Sequence, residues 1–314
     1  VLIVSVVVEG LARRLFPAAH ILALPTARPS FLGRFLPLFL RARSLLASVH
    51  FNRMVCLRHQ RTAATEVLLA SLHYNESFGV ANDSRWLNPE EGRYLPSAIQ
   101  TQIAYPTSAS RGHCTEIEAH RRVLELCLGR AVKNEEVTPV LARTAGCSGG
   151  ALVFCPFSST VVKDYPATSW MEVFSLLAWK GPIHLCGSPA DIGRLGQFAE
   201  TLRSRGLVAH VIPTADLDGL IAIIADATAV LGVDSAPAHF ATAMDRPGVF
   251  LVGGSHWGMF APWQRSARQI WLTHELPCFR CNWECPYPTI RCITEIPPAE
   301  IACALDSILN TSTP

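Results

Sequence analysis

The second half of the chain constrains the fold more than any other stretch. From about residue 151 onward, short apolar runs alternate with helical patterns, and turn residues separate them. A strand covered on both faces reads as a continuous apolar run, and its crossover helix reads with a period of 3.6, so this alternation predicts βαβ units on a parallel sheet. Residues 151–155 (ALVFC) form the first such run, stopped by Pro156 and the polar Ser158, Ser159 and Thr160. A helical pattern over 166–180 follows, carried by Trp170, Val173, Phe174 and Leu177, and 182–186 is the next strand. Residues 191–206 read as an amphipathic helix with Gly206 as its stop. Strands are then expected at 208–212, 229–233 and 249–252, with helices at 217–226 and 236–244 between them. The result is an α/β, Rossmann-like half with about five strands.

The first half is less regular. Strands are expected at 19–24, at 54–57 and near Phe78, with a helix over 63–72. Residues 116–128 form an amphipathic helix presenting Ile117, Val123, Leu124 and Leu128 on one side. The stretch 82–112 is rich in Pro, Ser, Asn and Gly and is expected to be irregular, near a functional face. The small, Gly-rich stretch 144–150 is the expected linker. Two domains follow, 1–146 and 147–314, and 314 residues is a length that two domains suit.

Composition excludes several classes. Hydrophobic residues are 49% and charged residues 17%, too apolar and too weakly charged for a disordered chain. Lys and Arg number 27 against 25 Asp and Glu, so no polyanion-binding surface, and no nucleic-acid partner, is expected. No run of about 20 apolar residues exists for a membrane span; the most lipid-like stretch, 31–49, is broken by Arg34, Pro37, Arg41 and Arg43. Residues 31–43 mix Phe and Leu with Arg, which suits a membrane interface, or equally a packed helix with snorkelling arginines.

Eleven cysteines, an odd count, argue against a disulfide framework and for a reducing, cytoplasmic setting. Four of them crowd together as Cys278, Cys281, Cys285 and Cys292. Four thiolates are enough for a tetrahedral structural zinc or an iron site. The spacing is not that of a standard zinc ribbon, and reduced cysteines packed in a loop are the alternative.

Two loops carry the chemistry. Gly232-Val-Asp-Ser-Ala-Pro-Ala-His239 is a buried strand ending at Asp234, then a tight turn that opens a helix. Ser235 is placed to cap that helix, and the small Ala236 and Ala238, with Pro237 between them, allow close approach to the backbone. A turn of this kind, at the carboxyl end of a strand in an open α/β sheet, suits an anionic ligand, a diphosphate above all. The alternative is an ordinary βα turn with His239 packed in the core. The second loop, Pro156 to Pro166, is rich in hydroxyls and brings Lys163 up before a helix, a plausible grip for phosphate. Both loops leave the same edge of the same sheet.

The order of these segments resembles the heptosyltransferase family, glycosyltransferase family nine. The match runs through Ser158-Ser159, Lys163, Tyr165-Pro166, Leu185-Cys-Gly-Ser188 and Asp234-Ser-Ala-Pro-Ala-His239 to the cysteine-rich tail, and Asp234 to His239 is its most specific part. Leu15-Phe-Pro-Ala-Ala-His-Ile21 is similar to the family's first helix-to-strand junction, and 116–129 to its helix before the linker. Tyr165 stands where Trp is commoner. The resemblance implies a GT-B fold, two Rossmann-like domains with parallel sheets facing across a cleft, and no required cofactor. It implies inverting transfer of a sugar, heptose from ADP-heptose, to a lipopolysaccharide-type acceptor. The protein would then be cytoplasmic, with peripheral contact at the inner face of the cytoplasmic membrane. It assigns Ser158, Ser159, Lys163, Gly187, Asp234, Ser235, Ala236, Pro237, Ala238 and His239 to the donor. It places the family's catalytic base, an Asp in a Gly-Asp loop, at or upstream of Val1, so the first strand and the base are expected to be missing. Residues 1–16, strand-like by β-branched content, would then be the first helix, and Glu9 is the base that remains to be guessed at. The competing expectations are a donor-binding but catalytically disabled fragment or scaffold, and another GT-B enzyme of nucleotide sugars such as an epimerase.

Overall fold

The computed structural model describes residues 1–5, 8–24, 40, 43, 44, 46, 49–58, 61, 63–81, 97–104, 114–142, 150–214, 216–281 and 283–310. The chain separates into two compact units: Val1–Ser108 with Thr115–Thr138, and Ala109–Cys114 with Pro139–Pro314.

Unit 1 carries two parallel sheets among its described residues. Strand β1 (Leu2–Ser5) pairs with β2 (Ile21–Leu24) in the register Leu2 to Ile21, and helix α1 (Glu9–Leu15) connects them. This corrects the expectation that residues 1–16 form the first helix. The β-branched run at the start is a strand after all, and the helix begins only at Glu9, where Gly10, Leu11 and Ala12 replace the valines. The second sheet runs β3 (His50–Cys56), β4 (His73–Val80), β5 (Thr101–Ile103), with α2 (Ala63–Ala70) between β3 and β4. Helix α3 (Thr115–Leu128) buries Thr115, Ala119, Val123 and Cys127 against Phe78 and Val80. Its buried stripe therefore follows the i, i+4 series of smaller residues, and Leu128, expected inside, is exposed. Helix α4 (Asn134–Val137) closes the unit.

Unit 1 also holds a buried ion pair. Arg61 and Glu66 meet at 2.6 Å with side chains 0% and 6% exposed. The same guanidinium donates to the Val80 carbonyl and to Ser97 Oγ, while Glu66 Oε2 accepts the Ala98 N–H. Each charge is thus wrapped in hydrogen bonds, the condition under which a buried pair is tolerated.

Unit 2 is one six-stranded parallel sheet in the order β11-β10-β9-β6-β7-β8. The strands are β6 (Leu152–Cys155), β7 (Ile183–Leu185), β8 (Ala209–Val211), β9 (Ala229–Val233), β10 (Gly248–Leu251) and β11 (Gln269–Leu272). Sequence patterning found five of them. The sixth, β11, alternates buried and half-buried residues at the sheet's edge and lacks the continuous apolar run that marks the others. The helices are α5 (Ala167–Leu176), α6 (Ile192–Ser204), α7 (Leu217–Asp226), α8 (Ala236–Ala243), the short α9 (Arg291–Thr294) and α10 (Pro298–Asn310). Helix α5 stops at Leu176, short of the expected residue 180. Helix α6 buries Leu195, Phe198, Ala199 and Leu202 on one face and is followed by Gly206 at φ 82°, a left-handed position that glycine takes without strain. Asp216 caps α7 by accepting the Gly219 N–H at 2.8 Å.

Strands β6, β9 and β10 are buried along their whole length. Phe154 lies edge-on to Trp170 and Phe174 with centroids 5.0 and 4.9 Å apart, which locks α5 to the sheet. Chain order starts at the centre with β6, runs outward through β7 and β8, then returns to β9 on the other side. The direction of winding therefore reverses between β6 and β9. In open α/β sheets that reversal opens a crevice beyond the strands' carboxyl ends, where ligands bind.

Candidate functional site

The two loops singled out by sequence leave the sheet side by side at that reversal. Cys155 at the end of β6 is in register with Gly232 of β9, and a Cβ on Gly232 would sit 2.4 Å from the Cys155 carbonyl oxygen. Glycine lets the two strands carry their loops out in close contact.

The β6 loop is braced from within. Ser158 Oγ donates to the Thr160 carbonyl at 2.8 Å and accepts the Thr160 N–H, so its hydroxyl is committed to the loop's own backbone. Ser159 is exposed. Asp164 Oδ1 accepts the Ser158 N–H, and its Oδ2 takes Arg194 Nη2 of α6 at 2.5 Å. The Arg194 guanidinium lies 3.6 Å above the Phe157 ring centroid. Tyr165, where the family commonly has Trp, is buried against Trp170 and donates its hydroxyl to the Ile296 carbonyl at 2.5 Å. Burial pushes the Tyr165 phenol up to about 12, so it stays a donor. These contacts fix the short turn Val161–Lys163 and hence the aim of Lys163.

Lys163 reaches across the reversal. Its Nζ donates to Asp234 Oδ2 at 2.8 Å and approaches the Asp234 carbonyl at 3.5 Å, joining residues 71 apart in sequence. The other carboxylate oxygen, Oδ1, lies 3.2 Å from His239 Nε2. Burial would push the Asp234 carboxyl up, but the hydrogen bond from His239 and the charge of Lys163 outweigh it and hold it at about 2. Asp234 is therefore an anion at neutral pH, clamped between a cation and an imidazole. An ammonium has three N–H groups and a partner for each can differ, so Lys163 can hold Asp234 and an incoming anion together.

The expected helix cap is corrected here. Ser235 occupies the N-cap position of α8 and its carbonyl accepts the Ala238 N–H at 3.0 Å, but its hydroxyl turns back to the Val233 carbonyl at 3.1 Å. Ala236, Pro237 and Ala238 form the first turn, with Pro237 and Ala238 buried. Gly187, just past β7, accepts Thr214 Oγ1 at 2.9 Å through its carbonyl, which ties the β7 and β8 loops together. His239 is one-third exposed rather than core-packed.

Sequence reading missed Trp263. Its Nε1 donates to His239 Nδ1 at 2.9 Å, and its own carbonyl accepts Trp271 Nε1 at 2.7 Å. Nothing in the spacing of positions 239, 263 and 271 advertises this, because the link is made through the β10 and β11 connections. Arg194 was likewise invisible: on α6 it reads as one more solvated arginine.

Cys278, Cys281 and Cys285 lie in the loop before α9, and Cys292 lies within that helix. Cys278, Cys281, Cys285 and Cys292 line one cavity together with Gly254 and Ser255. Burial pushes the Cys281 and Cys292 thiols up, while the Trp283 N–H at Cys281 and the Gly254 N–H at Cys292 pull the other way. Arg280 and Trp283, between the cysteines, adopt φ of 66° and 63°, a left-handed backbone rare for non-glycine residues. Among the described residues, however, no three His, Cys, Asp or Glu side chains are placed to hold one ion. None of the described cysteines forms a disulfide.

Glu9, the one carboxylate in residues 1–24, follows β1 in the first turn of α1 and is bound by Arg13 at 2.6 Å. The expected irregular segment at 82–112, the linker at 144–150 and the membrane-interface stretch at 31–43 fall largely outside the described residues. No helix among the described residues is long and apolar enough to cross a membrane.

Two α/β units built on parallel sheets, one of them in doubly wound order, are the parts of which a GT-B fold is made. Residues 100–287 match the model of glycosyltransferase family 9 (heptosyltransferase), and the chain belongs to that family. It is 30% identical over 175 residues to lipopolysaccharide heptosyltransferase 1 of Pseudomonas aeruginosa, covering 50% of this chain and 48% of that protein. It is 32% identical over 177 residues to lipopolysaccharide heptosyltransferase 3 of Escherichia coli, covering 54% and 50%. The match spans about half the length of these curated relatives. In fold it is similar to the E. coli heptosyltransferase WaaC solved with ADP-2-deoxy-2-fluoro heptose, with a TM-score of 0.59 at 17% identity over 99% of this chain and 89% of that one. It is similar also to a family 9 glycosyl transferase of Veillonella parvula, with a TM-score of 0.64 at 16% identity over 94% and 83%.

Proposed function

We propose that this chain takes a sugar from a nucleoside diphosphate sugar, ADP-heptose in the first instance, and transfers it with inversion to a lipopolysaccharide-type glycan acceptor in the cytoplasm, at the inner face of the membrane. The observation that carries the reading is the bridge from Lys163 to Asp234 across the sheet's reversal. It sets one ammonium, held by a permanent anion, beside the opening turn of α8, where a diphosphate is favoured by both the charge and the helix end. The relatives are lipopolysaccharide heptosyltransferases and one solved neighbour holds an ADP-sugar analogue, which supports the choice of donor and acceptor class. In this reading Lys163 takes part of the charge that grows on the departing diphosphate. Asp234 and His239 keep Lys163 in place, and Gly187, Ser158, Ser159 and the Ser235–Ala238 turn line the approach. Calorimetric titration of ADP, UDP and GDP into wild type and Lys163→Ala tests it. ADP should bind best, and the variant should lose roughly 10- to 100-fold, as for one charge-assisted hydrogen bond. Equal, weak binding of all three nucleotides overturns the assignment.

The four clustered thiols support a separate, structural role, the binding of one zinc or iron ion by Cys278, Cys281, Cys285 and Cys292. What favours it is a donor set of four soft ligands on one cavity with two N–H groups facing the sulfurs. The sulfurs would have to draw together from their present positions. Metal analysis of protein purified without added metal decides: one ion per chain, lost in Cys281→Ser, supports the site, and its absence rejects it.

A further inference from the structure

We propose that Trp263 is a positioning residue of the donor site, acting through His239 to fix the orientation of the Asp234 carboxylate; this rests on the donor-site reading above. An indole N–H can only donate, so the ring nitrogen of His239 that it meets, Nδ1, must accept and carries no proton. The neutral imidazole then bears its proton on Nε2, the nitrogen that faces Asp234 Oδ1 at 3.2 Å. The two rings are within 10° of parallel with centroids 6.2 Å apart, and with their nitrogens at 2.9 Å they lie edge to edge, as an in-plane hydrogen bond requires. A relay therefore runs from the Trp263 N–H to His239, from His239 to Asp234 Oδ1, and from Lys163 to Asp234 Oδ2.

The far end of the relay is itself held. Trp263 is 5% exposed, its carbonyl accepts Trp271 Nε1, and Trp271 packs against Phe250 of β10. The segment after it is tied down where Arg265 Nη1 donates to the Ala243 carbonyl at the end of α8, and where the buried Gln269 accepts the Arg265 and Ser266 N–H groups. The indole is thus aimed by the sheet and not by solvent. Without its N–H, the imidazole is free to move its proton to Nδ1, and Nε2 then turns a lone pair toward the Asp234 carboxylate. The two would repel, Asp234 would rotate, and the anchor of Lys163 would loosen. Trp263 touches neither Lys163 nor the opening turn of α8 in the hydrogen bonds described, so its effect on the donor must pass through His239.

Two measurements on the full chain test this. Nitrogen-15 NMR of the histidine rings in ligand-free wild type should show His239 with its proton on Nε2, and in Trp263→Phe a mixture of the two tautomers. A double-mutant cycle with Trp263→Phe and His239→Ala, read by ADP calorimetry, should be strongly non-additive. Trp263→Phe alone should weaken ADP roughly tenfold, and should change nothing further once His239 is alanine. A proton on Nδ1 in wild type, or effects of the two substitutions that simply multiply, overturns the proposal. If Trp263→Phe does not fold, the wild-type tautomer still decides. If wild type binds none of ADP, UDP and GDP, the donor-site reading fails separately, and the tautomer again decides the relay.

Discussion

Replacing Asp234 by Asn keeps the shape of the side chain and removes its charge. In the folded protein this carboxyl is held at about 2 against an ordinary 3.8, so folding favours its ionised form. The gap is nearly two pH units, and at 1.36 kcal/mol per unit it corresponds to about 2 kcal/mol of stability at pH 7. The side chain is only 12% exposed, so solvent screening removes little of this. The sign follows from the depressed folded value. The contribution is complete above the unfolded value and fades as pH falls toward the folded one, with about half left at pH 3. Asp234→Asn should therefore melt roughly 4–8 °C below wild type for a unit of this size. The difference should be the same at pH 7 and pH 5 and should narrow by pH 3. Differential scanning calorimetry at these three values reads it directly. A variant that melts within ~1 °C of wild type at pH 7, or a difference that widens from pH 5 to pH 3, would refute the view of Asp234 as a clamped anion.

Two further outcomes follow from the packing. Gly232→Ala puts a methyl group 2.4 Å from the Cys155 carbonyl oxygen, a backbone atom of the neighbouring central strand, so the sheet itself must shift. Thermal melts should show a loss on the order of 2–3 kcal/mol, as for overpacking in a core, and ADP binding should weaken with it; an unchanged melt would show that β6 and β9 yield easily. Arg61→Met leaves Glu66 buried without its cation, and removal of one partner from such a pair costs about 3–5 kcal/mol. Limited proteolysis of the full chain should then cut first within residues 1–108 or 115–138, and cleavage first in unit 2 would contradict the role given to the pair.

What was legible in the sequence is what a buried parallel strand imposes locally. Each of β6, β7, β9 and β10 had to be a short apolar run because helices cover both faces, and each crossover had to be a periodic segment, so their order and the two loops between them could be read directly. The edge strand β11 escaped because one row of its side chains is half-exposed and the run is broken. The opening residues carried both signals, since the β-branched run at Leu2–Ser5 is a strand and the stretch from Glu9 to Leu15 is a helix, so neither pattern alone describes residues 1–16. For the candidate site the limit is sharper. Lys163 and Asp234 could be singled out as candidates because each sits in a loop with its own local signature. Trp263 has no such signature, since its role exists only when β10 and β11 bring it 2.9 Å from His239. A hydrogen bond between residues 24 apart leaves no period in the chain. Yet it decides which nitrogen of His239 holds the proton, and so which way Asp234 can hold Lys163. The groups that would meet the donor were readable one by one, whereas the group that aims them could be found only in three dimensions.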